Sequence, residues 1–402
     1  MPDCESLTPV NSNRTVDSKV IFALFFVHFI GDFYTSFVNP LLPVFVKEFS
    51  LTLTQVGLIV GISRLLGFVV QPSVGYLADH YQTRFFVLGG PLLAIVFISI
   101  VGIAPSFPVL VVFVALGSIG SSMFHPTAAA MVSTFSGRHF GLSMSVFNVG
   151  GTLAFGMGPL FITYFVVCYG LSASPFTMVL GLAVMVVLFR IVPLPQGEGL
   201  KNLGFIGSVR EVLGAVWKSI VLIWVVMILR TFVAQSFLTF IPVLYANEGH
   251  SLVSIGVIVS VFAVAGAISG LVAGHLSDRI GYKPIFYFSY ALSTPSLYLF
   301  LFLPGRLIYF GAFLAGFFIL ATVPLAVAMA QELAPRGKSM VSSLMMGLAF
   351  GTGAMMTPLT GKLADIFSIR PILGTLAMIP ILTIALIYRL PERELRSHPA
   401  VI

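Results

Sequence analysis

The chain has 402 residues, 58% of them hydrophobic and 9% charged, with a mean hydropathy of +1.04. A soluble globular chain carries about 25% charged residues, so these side chains cannot furnish the polar surface that a water-soluble enzyme of this size needs. The net charge of +7 does not point to nucleic acid either. The 21 Lys and Arg stand singly between apolar runs, and a dispersed basic excess is what membrane topology produces.

At about 20 residues per crossing, the chain has room for twelve transmembrane helices. Residues 1–19 carry no basic region followed by a cleavage site and read as a cytoplasmic tail, not a signal peptide. The apolar runs predict spans at 20–39, 54–78, 84–104, 108–132, 140–166 and 173–192. The longest polar interruption, 193–218, is then a cytoplasmic linker, either solvated or a helix lying on the membrane face through Leu203, Ile206, Val209, Leu213 and Trp217. Spans follow at 219–241, 254–276, 284–303, 307–330, 340–364 and 371–390, and 391–402 is a second tail. The fold class is an all-α membrane protein with six-helix units at 20–192 and 219–390. A β-barrel would show short alternating segments instead.

With the N-terminus inside, fifteen Lys and Arg fall in the cytoplasm, against Lys47, Arg306, Lys362 and Arg370 outside. That asymmetry predicts a multi-pass protein of the cell (inner or plasma) membrane with both termini cytoplasmic. The halves repeat: 43–60 aligns on 242–259 without gaps, an offset of 199 residues, which also carries 75–85 onto 274–284 and 158–160 onto 357–359. Parallel repeats of this kind build carriers whose central site opens to either face. The two cysteines, Cys4 and Cys168, make no disulfide framework, and no metal-ligand spacing appears. The expectation is therefore no metal and no cofactor.

The GxLxD pattern with a basic turn, at Gly75–Arg84 and again at Gly274–Lys283, resembles the loop signature of the major facilitator superfamily. HFIGDFYTSFVNPLLP, QPSVGYLAD and the run from GSSMFHPTAAAM through SGRHFGLSMSVFNVGG to GPL look like its fosmidomycin-resistance branch of drug exporters. The resemblance implies loops that latch the cytoplasmic side, with Asp79, Arg84, Asp278, Arg279 and Lys283 as gating residues. Gly150, Gly151, Gly156, Gly158 and Pro159 form a glycine-rich stretch in span 5 that allows close helix approach and bending; its GxxxGP-like part, in which Ala154 replaces the first glycine, is what the resemblance links to export.

The ionisable residues inside the spans carry the mechanism. Asp32 lies about 18 Å into span 1 at helical rise, and it is the carboxylate nearest mid-membrane. Arg64 and Arg230 lie at similar depth. A mid-membrane charge costs at least about 2.5–3.5 kcal/mol, so each faces the bundle interior or water. They form either a structural ion pair with Asp32 or a proton-coupling acid beside anion-binding cations. His28, one turn from Asp32, is a proton relay or a packing histidine. His125 precedes Pro126, whose ring distorts the helix as in cavity-lining stretches. Asn148, Gln235 and Tyr34 are polar candidates for the cavity wall, or simply bridge helices.

No phosphate-cradling GxxxxGK[ST], HExxH, CxxC or GxSxG occurs, so the chain does not read as an enzyme or as ATP-driven. The expectation is a monomeric, proton-coupled antiporter that exports a small anionic or zwitterionic organic compound or drug by alternating access. Its partners are the substrate, protons and membrane lipids. The alternatives are an importer of an organic anion with the same residues, and a non-transporting membrane sensor.

Overall fold

A computed structural model describes residues 16–80, 83–137, 139–195, 214, 216–333, 345, 347 and 350–390, and of Asp79 and Asp278 the backbone alone. Most of the predicted linker, the start of span 11 and both tails lie outside these residues. Among the described residues there are eleven helices long and apolar enough to cross a membrane. We number the helices by span. The first six are α1 (Ser18–Phe49), α2 (Leu53–His80), α3 (Phe85–Ile103), α4 (Phe107–Phe135), α5 (Phe140–Tyr169) and α6 (Leu171–Ile191). The rest are α7 (Trp217–Asn247), α8 (Leu252–Ile280), α9 (Tyr282–Phe302), α10 (Leu307–Leu333), α11 (Phe350–Met355, then Thr357–Phe367) and α12 (Ile369–Ile387).

Two helices run longer than the hydropathy runs suggest. The chain crosses the Ser36–Phe37 junction of α1 through Ser36 N donating to Asp32 O at 2.9 Å and Phe37 N to Tyr34 O at 3.0 Å. Helix then continues through Pro43 and stops at Ser50, in the left-handed region at φ 50°. α7 likewise runs through Pro242, the repeat partner of Pro43, to Asn247. A proline inside a membrane helix does not end it where neighbouring helices re-satisfy the freed groups; this is why 39 and 241 proved too early as ends.

The recorded approaches between α1–α6 and α7–α12 run from mid-depth to the face opposite the termini. They obey the internal repeat. Gly57 of α2 lies against Thr357 and Pro358 of α11, where a Cβ would stand 2.6 Å from the Thr357 carbonyl oxygen, and Thr357 Oγ1 donates to Gly57 O at 3.0 Å. Its repeat partner Gly256 of α8 lies against Pro159 and Thr163 of α5, 2.8 Å separating such a Cβ from the Pro159 carbonyl. Only glycine permits either crossing.

A third contact breaks the symmetry. The Asp365 carboxylate of α11 accepts from Leu53 N at 2.8 Å, Thr54 N at 2.9 Å and Thr54 Oγ1 at 2.6 Å. It caps the first turn of α2 from the other half of the chain, in addition to a local cap that the repeat shares: Gln55 N donates to Thr52 Oγ1 at 3.2 Å as Ser254 N does to Ser251 Oγ at α8. Partial burial alone would push this carboxyl up, but the Thr54 and Leu53 donors outweigh it and hold it below its ordinary 3.8. A depressed pKa means that the latch is whole above the carboxylate range and is lost only as pH falls through it. A cap is worth about 0.5–2 kcal/mol, so Asp365→Ala should move the balance toward opening of this face by roughly 2- to 30-fold. Distances between spin labels at Thr52 and Lys362 measure that shift; an unchanged distribution would mean that Asp365 is no latch.

Candidate functional site

α1 and α4 build one polar centre in an apolar setting. Asp32 is 4% exposed. One turn earlier, His28 places Nε2 3.2 Å from Asp32 Oδ2. His125 of α4 places its own Nε2 3.5 Å from the same oxygen, and Ser121 Oγ donates to Oδ1 at 3.2 Å. Phe147 packs on the His28 ring at 4.2 Å between centroids, and Phe124 stacks on His125 at 4.1 Å. His28 and Asp32 are buried; the half-buried His125 is the exposed edge of the cluster.

The tautomers follow from the partners. His28 Nδ1 lies 2.8 Å from the Phe147 carbonyl oxygen, and His125 Nδ1 lies 2.6 Å from that of Ser121. A carbonyl only accepts, so each Nδ1 carries the hydrogen and each neutral ring turns a lone pair at Nε2 toward Asp32. Three acceptors thus converge with no hydrogen of their own between them. Unmade pairing of buried acceptors is costly, and one proton or another cation shared at this point removes the cost.

Arg64 is exposed on α2, and its charge is felt by Asp32 and by His125. Its direction follows from its helix. Gly57, Gly61 and Phe68 all touch α11, and at 100° per residue Arg64 falls on the same stripe, so it lies on the side of α2 that meets the other half of the chain. Asn148, also exposed, lies toward the stripe of Gly156, Pro159 and Thr163, which meet α8.

Other expectations are corrected. Arg230 does not join Asp32: it is 1% exposed, donates to Thr231 Oγ1 at 2.8 Å and Ile319 O at 3.4 Å, and feels Tyr290. Gln235 is buried, with Nε2 reaching Thr239 Oγ1 on its own helix at 3.4 Å. Tyr34 is fully enclosed instead of lining a wall. Its hydroxyl donates to Thr177 O at 2.5 Å and accepts from Gly181 N at 2.9 Å, bridging the two groups that one α-helical turn of α6 would otherwise join. Tyr34→Phe orphans this pair, costing about 1–3 kcal/mol. The expected result is a lower melting temperature with solute affinity as in the parent; weaker affinity at equal stability would return Tyr34 to the binding site. Gly150, Gly151 and Gly158 turn to α1, against Phe25, His28 and Ser36, with Pro126 and Pro159 inside continuous helices.

Of the gating candidates, the carboxylates of Asp79 and Asp278 lie outside the described residues. The cations show a symmetry. Arg84 Nη1 reaches Phe189 O at the end of α6 at 3.4 Å, and Lys283 Nζ reaches Tyr388 O just past α12 at 3.2 Å. Both partners are related by the 199-residue offset, and a cation at a helix C-terminus is favourable. Arg279 is exposed on α8. Sequence reasoning missed Ser121 and Asp365. Ser121 sits one helical turn before His125, a spacing that could have flagged it; the partner of Asp365 lies 312 positions away, and nothing local signals it.

The chain is 28% identical over 384 residues to the Fosmidomycin resistance protein of Escherichia coli (strain K12), covering 93% of each. It is 28% identical over 388 residues to the uncharacterized MFS-type transporter YfnC of Bacillus subtilis (strain 168), covering 92% of each. Among solved structures, a bacterial homologue of the human lysosomal transporter Spinster, inward-facing and occupied, superposes with a TM-score of 0.78 at 15% identity, covering 92% of this chain and 96% of that one. The family model of the Major Facilitator Superfamily matches residues 24–339 and 245–401. With eleven membrane-length apolar helices among the described residues, an internal repeat, a buried polar centre and this family match, the chain belongs to the Major Facilitator Superfamily of transporters.

Proposed function

We propose that the protein exports a small organic compound in exchange for protons, cycling by alternating access between units 20–192 and 219–390 in the cell membrane, with both termini in the cytoplasm and the monomer as the working unit. The observation that supports this reading best is the convergence of His28, Asp32 and His125 on one point, within electrostatic reach of the exposed Arg64. That point holds one proton between the Asp32 carboxylate and an imidazole.

Electrostatics then constrains the solute. A simple anion at Arg64 would attract the proton rather than displace it, which suits co-transport. Exchange requires a solute that brings its own donor. An acidic group rests on Arg64 while a hydroxyl or N–H fills the three-acceptor point and expels the proton. Asn148, on the neighbouring stripe, supplies an uncharged contact. A compound bearing both an anion and a donor meets both demands, and the resistance named for the Escherichia coli relative makes fosmidomycin the first compound to try.

The test is uptake of fosmidomycin into everted vesicles under an imposed pH gradient, acid inside. Accumulation that collapses with the gradient supports proton-driven export. Accumulation only with the gradient reversed would instead establish the import of an anion, using the same residues.

A further inference from the structure

The three convergent atoms have a second property. Four-coordinate zinc-class sites place N and O ligands about 2.0–2.2 Å from the ion, and a tetrahedron of that size has edges of about 3.3 Å. The His28–Asp32 and His125–Asp32 edges are 3.2 and 3.5 Å, and all three ligand atoms lie within 4.8 Å of one another. We propose that His28 Nε2, Asp32 Oδ2 and His125 Nε2 bind one zinc-class divalent cation, leaving a fourth position for water on the half-buried His125 side.

Four features of the surroundings support such a site. Metal-binding histidines donate their other ring N–H to a backbone carbonyl, which fixes the tautomer; His28 does so to Phe147 and His125 to Ser121. The carboxylate oxygen left over, Oδ1, is held by the Ser121 hydroxyl. A methyl group on residue 151 would collide with His28 Nε2, so the glycine there keeps the ligand atom clear. Two imidazoles and one carboxylate suit Zn2+ and Co2+ rather than Mg2+ or Ca2+, which take oxygen shells. The positive Arg64 opposes the ion, and it is the one cation recorded as acting on this cluster among the described residues.

The inference uses the site assigned above to the proton, but it stands or falls on metal binding alone. The experiment is Co2+ titration of the full-length protein in detergent, read by the visible bands of four-coordinate cobalt, with Zn2+ displacement measured by calorimetry. One equivalent of Co2+ should give those bands and Zn2+ should abolish them. His125→Asn should weaken Co2+ binding at least tenfold, and Gly151→Ala, which removes no ligand, should also weaken it. His275→Gln, at an exposed histidine of α8, should bind as the parent does. Absence of the bands, or equal affinity in folded His125→Asn and Gly151→Ala, overturns the metal site and leaves proton coupling to be judged by the vesicle experiment. Bands present without any gradient-driven uptake would overturn the coupling and keep the metal site.

Discussion

Asp32→Asn should abolish uphill transport of fosmidomycin while leaving the protein folded. The amide keeps the volume of the carboxyl group and brings a hydrogen of its own. It can donate to His28 Nε2 or His125 Nε2, 3.2 and 3.5 Å from the parent oxygen, and still accept from Ser121. The cluster is then satisfied in every state without a titrating proton, which fixes it in imitation of the proton-loaded form. Gradient-driven uptake should fall at least tenfold, and exchange of bound for free compound should fall with it, because the amide hydrogen already fills the point that the solute's donor must enter. Uphill transport equal to the parent would remove the coupling role from Asp32. His125→Gln should show a milder loss, since His28 remains to share the proton; an effect equal to that of Asp32→Asn would mean that the two histidines act as one unit.

Arg64→Ala should weaken binding of the same compound tenfold or more, about 1.5–3 kcal/mol for a hydrogen bond to a charged group. Arg64→Lys should recover little of it, because an ammonium cannot make the two parallel bonds that a guanidinium makes to a phosphonate or carboxylate. The side chain is exposed on α2, so removing it should take little from the packing, and the melting temperature should hold. Arg230→Lys should do the reverse. That side chain is enclosed among Thr231, Ile319 and Tyr290, so its loss should lower stability with affinity changed less. Calorimetry in detergent separates the two. Unchanged affinity in folded Arg64→Ala would end the case for an anion site, and a Kd shift at Arg230 matching that at Arg64 would restore the two-arginine clamp.

Much of this molecule was legible in its sequence, because a bilayer imposes strong local rules. A helix that must bury every backbone group in hydrocarbon needs a long apolar run. Among the described residues the spans could therefore be placed within a few residues, except where Pro43 and Pro242 let helices continue. The 199-residue repeat follows from the same text, and with it the paired crossings at Gly57 and Gly256. The expense of a mid-membrane charge singled out Asp32 and Arg64. What the sequence could not give was partnership. Helical spacing ties His28 to Asp32, but that His125 shares the same oxygen depends on how α4 packs on α1, with Gly31 of α1 against the Phe124 ring. Arg64 and Arg230 look alike as letters, each a lone cation at mid-depth. Only the rotation of each helix leaves one exposed and the other enclosed, and that rotation is set by the summed packing of neighbours far away in the chain. Tyr34 and Asp365 make the same point, for their partners lie 143 and 312 residues away. Depth and length are one-dimensional properties that a sequence states directly; the facing of one side chain toward another belongs to the packed bundle.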